Sequence, residues 1–329
     1  MWIDTNTLTS DSVSELARKE LLEYVSSEIE VLPNCQSRVL AESAMSCSSG
    51  LVMLKNAVEE LNPSYLSSFN FTIANVYKML RYIYRNELSG LDEIEADDQL
   101  LRKSAFVKTV AIVTFANLFD DLCDEKHTEF VPFTELLLLE LEQIDGESRT
   151  LPNVETHHKG EQLITIMFSE VFTNLSREDK RALAVVFRHA LNNQIHEYKL
   201  LSEMCKTQTS ESTLQQLHYY NAVLAISSSM SVLFKIKSFA ISDMRVMHNY
   251  LELVYFVDAI ADVEIDRASG DFNPFLVEDF CLSLENMKTS IGSLKTIVQD
   301  LKVTLQSGNR GAGDNLFRFV LENLKNMIQ

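Results

Sequence analysis

A cluster of carboxylates follows the mostly apolar stretch 105–119 in the first half of the chain. Its members are Asp120, Asp121, Asp124 and Glu125. If this segment is a helix, Asp120 and Asp124 stand one turn apart, where their like charges repel each other and oppose the helix dipole. A bound divalent cation would reverse that cost. The pattern therefore predicts a metal site with Asp120, Asp121 and Asp124 as ligands.

A second cluster follows the apolar stretch 251–257 and consists of Asp258, Asp262 and Asp266. The spacing of four residues places all three side chains on one stripe of a helix. Mg²⁺ prefers oxygen ligands and usually takes one or two carboxylates together with water and substrate phosphate. These three aspartates are therefore also predicted metal ligands.

Acidic clusters also occur on ordinary solvated surfaces, and 47 Asp and Glu residues make some clustering inevitable. For either cluster alone, a solvated surface explains the pattern about as well as a metal site does. Their combination favours the metal site, because each follows a long apolar stretch and each repeats carboxylates at one-turn spacing.

Both clusters are predicted to lie on helices. Apolar residues recur every three or four positions through most of the chain, and the 5 prolines fall between these periodic segments. Ser12, Ser176 and Ser242 each lie at a predicted helix start as N-terminal caps. No segment alternates as a strand. We expect an all-α fold with a single domain over residues 1–329, built as a bundle of about ten to eleven mostly antiparallel helices. The predicted ranges are 13–31, 34–61, 64–89, 97–126, 131–144, 155–175, 178–206, 211–239, 242–269, 276–306 and 312–328.

The composition limits the kinds of molecule and the cellular environment that we expect for this protein. A formal net charge of −18 argues against binding to nucleic acid, which needs clustered Lys and Arg. No apolar run approaches ~18 residues and no signal segment opens the chain, so we expect no transmembrane segment and a cytoplasmic location. The 5 cysteines never form a C-x-x-C pair, which predicts reduced thiols and not a disulfide framework or a zinc site.

The two clusters resemble the metal motifs of the class I terpene synthase family. The segment Phe119-Asp120-Asp121-Leu122-Cys123-Asp124-Glu125 matches the DDxxD motif of that family. Asp258, Asp262 and Asp266 occupy the three ligand positions of its second motif, and Arg267 follows in the place of a basic diphosphate contact. The motif spacing is similar to that of bacterial-type single-domain members, so the resemblance covers most of the chain.

This resemblance implies a helical bundle around a central, aromatic-lined cavity, in which three Mg²⁺ ions bridge the carboxylates and a diphosphate. It implies a lyase that ionises a linear C15 or C20 prenyl diphosphate and ends by deprotonation or water capture. The stretch Ser227-Ser228-Ser229 would correspond to the kinked helix of the family, although ordinary small-residue packing explains it equally well. The implied catalytic residues are Asp120, Asp124, Tyr220 and Asn221, and the implied substrate-binding residues are Arg267, Lys235, Lys237, Arg310, Phe115, Tyr219 and Tyr255.

The sequence departs from the family pattern at three places, one of which is the Arg-Tyr pair near the C-terminus, for which Arg310 and Arg318-Phe319 are only weak substitutes. Aspartates replace the usual Ser/Thr and Glu of the second motif, and Asn221 or a neighbouring tyrosine stands where the family has a diphosphate-sensing arginine. The pattern from Asp258 to Gly270 is also similar to the second motif of squalene and phytoene synthases, which join two prenyl diphosphates on the same fold. Chain-elongating prenyltransferases are a weaker alternative, since Glu125-Lys126-His127 replaces their paired arginines.

A rival from another class is a non-catalytic helical module that binds a basic partner through its acidic helix faces. The missing arginine favours this alternative, whereas the complete set of metal-ligand positions opposes it. The oligomeric state stays open, with a homodimer among the options.

Overall fold

The computed structural model describes residues 10–32, 48–84, 91, 95, 99–100, 103–124, 130–145, 158–202, 213, 216–234, 241–269, 273–275, 284–306 and 310–328. All regular secondary structure within these ranges is helical, which confirms the all-α prediction. None of the helices in these ranges is both long enough and apolar enough to cross a membrane.

Eleven α-helices lie in the described ranges. In chain order they are α1 (Ser10–Glu30), α2 (Ser49–Leu61), α3 (Leu66–Ile83), α4 (Ser104–Asp124), α5 (Phe130–Asp145), α6 (Lys159–Phe172), α7 (Arg177–Ser202), α8 (Ile226–Leu233), α9 (Ile241–Ser269), α10 (Leu284–Gln306) and α11 (Arg310–Ile328). A 3-10 turn (Pro63–Tyr65) precedes α3, and a π-helical segment (Tyr220–Ala225) precedes α8.

Most predicted helix ends agree with the structure within a few residues. α4 begins at Ser104 instead of at 97, and Lys103 directly before it is not helical. α6 ends at Phe172, and Asn174 two residues on has a φ of 54°, a left-handed conformation that stops a helix. Parts of the predicted helices at 34–47, 85–89 and 276–283 lie outside the described residues.

The predicted cap at Ser176 is confirmed. Its hydroxyl accepts a hydrogen bond from the Asp179 backbone N–H at 3.1 Å and donates to the Asp179 carboxylate at 2.7 Å. α1 and α9 begin before Ser12 and Ser242, so these two serines lie inside the first turn instead of capping it.

The chain divides into two compact units, and the prediction of a single domain stays a prediction. Unit 1 comprises Met1–Ser37, Glu203–Tyr219 and Ile241–Gln329, and unit 2 comprises Arg38–Ser202 and Tyr220–Ala240. In unit 1, α1, α9, α10 and α11 form a four-helix group in which each helix packs against the other three. This arrangement holds the second acidic cluster, which lies on α9.

In unit 2, α4 is the central helix and packs against α2, α3, α6, α7 and α8. It can do so because apolar residues surround most of its length, including the buried Phe106, Val110, Phe115 and Phe119. The first acidic cluster therefore lies at the C-terminal end of a helix that its neighbours hold from several sides.

A buried lysine on α4 fixes the end of α6. Lys108 is 1% exposed, and its ammonium group donates to the Glu170 carbonyl at 2.7 Å and to the Thr173 carbonyl. The Glu170 carboxylate lies 3.9 Å away. Burial lowers the pKa of Lys108, and the nearby Glu170 charge partly offsets this effect. The cation thus satisfies carbonyls at the helix C-terminus, which otherwise have no partner within the helix.

Replacing this lysine should destabilise the protein. We expect Lys108→Met to lower the free energy of unfolding by about 1–3 kcal/mol, because buried carbonyls lose their donor. Urea unfolding followed by circular dichroism measures the change. The control is Lys55→Met, which removes only a partly exposed i,i+4 pair with Glu59 and should cost at most about 0.5 kcal/mol. Equal effects of the two substitutions would contradict the proposed role of Lys108.

Candidate functional site

The first acidic cluster lies in the last two turns of α4. Asp120 is half-buried and Asp121 is exposed, while Asp124 is the last residue of the helix and its side chain lies outside the described residues. Cys123 between them is fully buried. The helix therefore turns its apolar side to the core of unit 2 and presents Asp121 to solvent.

Asp120 belongs to a hydrogen-bonded chain of side chains in unit 2. The amide of Gln194 on α7 donates to the Asp120 carboxylate at 3.1 Å. The amide of Asn221, in the π-helical segment, donates in turn to the carbonyl oxygen of Gln194. The structure thus brings together the predicted residues Asp120 and Asn221 through a third residue that the sequence analysis did not identify.

Tyr65 lies beside the same cluster, at the end of the 3-10 turn. Its phenolic oxygen is shielded from solvent and lies near the side chain of Asn117. Burial raises the pKa of Tyr65 to about 12; the nearby Asn117 side chain partly offsets this, and the negative charge of Asp121 adds to it. A neutral phenol therefore faces the carboxylates of α4 over the whole physiological pH range.

The second acidic cluster lies on α9 in unit 1. Asp258 is exposed, whereas Asp262 and Asp266 are half-buried. Their spacing along a continuous helix confirms that all three lie on one stripe, as predicted from the sequence. Asp258, the first residue of the stripe, is exposed to solvent. Asp266, the last, lies near the end of the helix and is contacted by other residues.

Asn273 holds the last carboxylate of this stripe. Its side chain is 2% exposed, and its amide donates to the Asp266 carboxylate and to the Ala259 carbonyl, each at 2.7 Å. Its own carbonyl oxygen accepts a hydrogen bond from the Phe275 backbone N–H at 2.9 Å. All the polar groups of this buried amide side chain are therefore used, and the segment after α9 is tied to Asp266.

Arg267, the predicted diphosphate contact, lies in the last turn of α9. Its guanidinium group donates to the Glu264 carboxylate at 2.8 Å, and its side chain is 33% exposed. A positive charge in the last turn interacts favourably with the helix dipole and with the negative charges of the acidic stripe. An anionic ligand would compete with Glu264 for this group.

Two predicted aromatic residues lie together in unit 1. The rings of Tyr219 and Tyr255 are 5.7 Å apart and T-shaped, and Phe256 lies 5.1 Å from Tyr255. The Tyr219 hydroxyl donates to Glu252 at 3.1 Å, and the ring of His218 shares a hydrogen bond with the Tyr255 hydroxyl at 3.3 Å. Tyr255 precedes Asp262 by seven residues, or about two turns, on α9. Tyr255 therefore lies on the helix face that carries the acidic stripe, and Tyr219 packs against it there.

Burial raises the pKa of Tyr219 to about 12, with a further contribution from the neighbouring Glu252 carboxylate. Phe115, the third predicted aromatic, lies instead in the core of unit 2. It is 6% exposed, and its ring stacks on Phe119 at 5.2 Å and packs against Phe187 at 5.3 Å.

The π-helical segment carries two of the predicted catalytic residues, Tyr220 and Asn221. Both are half-buried, and burial raises the pKa of Tyr220. Ser227–Ser229, where the family resemblance implied a kinked helix, lie in the regular helix α8; the distorted segment is the six residues directly before it. π-helical turns are rare and occur frequently at functional sites.

Three of the basic residues predicted to contact diphosphate have side chains outside the described part of the chain. Lys235 and Lys237 lie outside the described residues, and Arg310 begins α11 with its side chain outside the described part. Their predicted contact with diphosphate stays a prediction.

The sequence analysis missed Gln194 and Asn273. Gln194 follows Leu183, Phe187 and Leu191 on the buried face of α7, so a polar residue at a core position was a signal that could have revealed it. Asn273 lies four residues after the end of α9 and directly before a proline, and asparagine in such a turn commonly bonds to the backbone two residues on. Neither signal alone indicates which carboxylate the amide contacts.

Within the described residues, no three side chains of His, Cys, Asp or Glu converge on a common point. The scan against protein-family models found no matching family, and no curated protein matches the sequence.

The role of Asn273 can be tested by its removal. We expect Asn273→Ala to lower the free energy of unfolding by about 1–3 kcal/mol, since the buried Ala259 carbonyl and the Asp266 carboxylate both lose a donor. Asn326→Ala, at an exposed position on α11 in the same unit, is the control and should change stability by at most about 0.5 kcal/mol. Thermal and urea unfolding measure both values, and an Asn273→Ala variant as stable as the control would contradict the assignment.

Proposed function

We propose that this chain is a Mg²⁺-dependent enzyme of the class I terpene synthase type, which ionises a linear prenyl diphosphate of C15 or C20 length. One observation carries the proposal: two of the six predicted ligands are each held by a buried amide. Gln194 holds Asp120 and Asn273 holds Asp266. Amide donors orient a carboxylate without neutralising it, which is the arrangement expected of a preorganised metal ligand.

The donor set suits Mg²⁺. All six predicted ligands, Asp120, Asp121, Asp124, Asp258, Asp262 and Asp266, offer carboxylate oxygens. A Mg²⁺ site commonly uses one or two carboxylates and completes its shell with water and phosphate oxygens, so it does not require three converging side chains. When bound, the metal would act as a Lewis acid on the diphosphate leaving group.

The protein's own cations would bind the same group. Arg267 offers a guanidinium that suits bidentate contact with phosphate oxygens, and Lys235, Lys237 and Arg310 are the further candidates. In the proposed reaction the allylic C–O bond breaks and the diphosphate leaves with the electron pair. The remaining cation then either loses a proton to give a hydrocarbon or takes up water and loses a proton to give an alcohol; in both routes the proton ends in solvent. Charge on the leaving group grows during this step, so these contacts strengthen as the bond breaks.

The aromatic pair on the α9 face has the properties needed beside such a cation. The π faces of Tyr219 and Tyr255 can stabilise positive charge. The Tyr219 hydroxyl is protonated at neutral pH, as tyrosine ordinarily is, and its raised pKa extends this state to more alkaline pH. The hydrogen bonds to Glu252 and His218 fix both rings in place.

The direct test is turnover. The purified chain with Mg²⁺ should release diphosphate from C15 or C20 prenyl diphosphate, and product analysis should show a hydrocarbon or an alcohol. We expect Asp121→Asn and Asp258→Asn to abolish release with a stability change of at most about 0.5 kcal/mol, because both residues are exposed. Asp300→Asn, at an exposed position on α10, is the matched control and should retain full activity.

Absence of Mg²⁺-dependent release from C10, C15 and C20 substrates would refute the proposed function and leave the non-catalytic binding module. A product made from two prenyl chains would point to the squalene and phytoene synthase class instead.

The two acidic clusters should also act together in binding. Mg²⁺ with a non-hydrolysable prenyl diphosphate should stabilise the protein by about 2.7 kcal/mol at one hundred times the dissociation constant, whereas Mg²⁺ alone should bind weakly. Asp120→Ala and Asp258→Ala should each lose this joint stabilisation completely, as measured by thermal shift and calorimetry. Independent, additive metal binding at the two clusters would contradict a shared function.

A further inference from the structure

We propose that Gln194 is a positioning residue that sets the orientation of the Asp120 carboxylate for metal binding, and that Asn221 holds Gln194 in the required orientation. This inference rests on the proposed function only in taking Asp120 as a metal ligand. All three residues belong to unit 2, and they come from α4, α7 and the π-helical segment.

The direction of the two hydrogen bonds fixes the Gln194 amide. Its NH₂ group donates to Asp120 at 3.1 Å, and its carbonyl oxygen accepts from the Asn221 amide. Rotating the amide by half a turn would place its carbonyl oxygen against a carboxylate and its NH₂ group against another NH₂ group. The Asp120 carboxylate and the Asn221 NH₂ group together make only one orientation of Gln194 favourable, and in that orientation a donor faces Asp120.

The environment of Gln194 makes this orientation stable. The side chain is 4% exposed and lies on the face of α7 that also buries Phe187 and Leu191. A polar group in such a place is costly unless its hydrogen bonds are made. A carboxylate has about four lone-pair sites, so one hydrogen bond from Gln194 orients Asp120 and leaves capacity for a cation.

Asn221 has one polar atom that the protein does not satisfy. Its carbonyl oxygen is shielded from solvent, and no described residue donates to it. A buried acceptor without a protein donor is costly unless a water molecule donates to it, so this oxygen can accept from an ordered water beside Asn221. The π-helical segment that carries Asn221 packs against α7, which keeps the amide beside Gln194.

The test measures metal binding and not only turnover. Calorimetry records the binding of Mg²⁺ together with inorganic diphosphate to the full chain. We expect Gln194→Met to raise the Mg²⁺ dissociation constant by about tenfold or more. Asn221→Leu should raise it by a smaller factor, and the double variant should match Gln194→Met alone, because Asn221 acts only through Gln194.

Two substitutions on α7 serve as controls. Asn192→Met changes an exposed amide that bonds only locally to the Arg188 carbonyl, and it should leave the dissociation constant unchanged. Leu191→Ala removes a buried neighbour of Gln194, so it should lower the melting temperature without changing the dissociation constant. A purely structural role of Gln194 would make Gln194→Met behave like Leu191→Ala.

An unchanged dissociation constant in Gln194→Met, or a wild-type protein that binds no Mg²⁺ with diphosphate, would overturn the inference. If Gln194→Met does not fold, Asn221→Leu decides by the same measurement. Failure of the two proposals is distinguishable: altered metal binding without prenyl turnover refutes the proposed function alone, and turnover with unaltered binding refutes this inference alone.

Discussion

Repulsion between like charges one helical turn apart is the constraint around which this chain is organised. Three aspartates recur at one-turn spacing on α9, and α4 ends in a second group. Each such pair costs an isolated helix a few tenths of a kcal/mol, about 0.2–0.5. The cost is tolerated because both helices are held by packing: α9 contacts the three other helices of its unit, and α4 contacts five neighbours in its own.

The choice of residues beside the carboxylates follows from the same constraint. Lysine or arginine at the positions of Gln194 and Asn273 would relieve the repulsion, but it would also neutralise the charge on which the proposed metal binding depends. An amide donates a hydrogen bond and carries no net charge, so it orients the carboxylate and leaves its affinity for cations intact. Where cations do occur in the core, as at Lys108, they contact backbone carbonyls at a helix end and lie on a different part of α4.

The sequence predicts the helical class and most helix ends, because apolar periodicity and prolines are local signals. It also predicts that Asp258, Asp262 and Asp266 share a face, since this follows from helix geometry alone. The contacts of Asp120 and Asp266 could not be predicted, because Gln194 lies 74 residues from its partner and only the folded chain brings them together. The π-helical segment escaped prediction for another reason: its six residues, Tyr220–Ala225, are compatible in type with an ordinary α-helix.

The π-helical segment also has a consequence for how this protein tolerates changes in chain length. A π turn holds more residues than an α turn, so loss of one residue between Tyr220 and Ala225 can be absorbed by a return to α-helical geometry. Because such a deletion removes only the extra residue of the wide turn, the chain before it keeps its place relative to α8, in which Ser227 and Ser229 are buried and Ser228 is exposed. Loss of one residue in this segment would therefore reposition Asn221 while the buried side chains of α8 keep their places in the core.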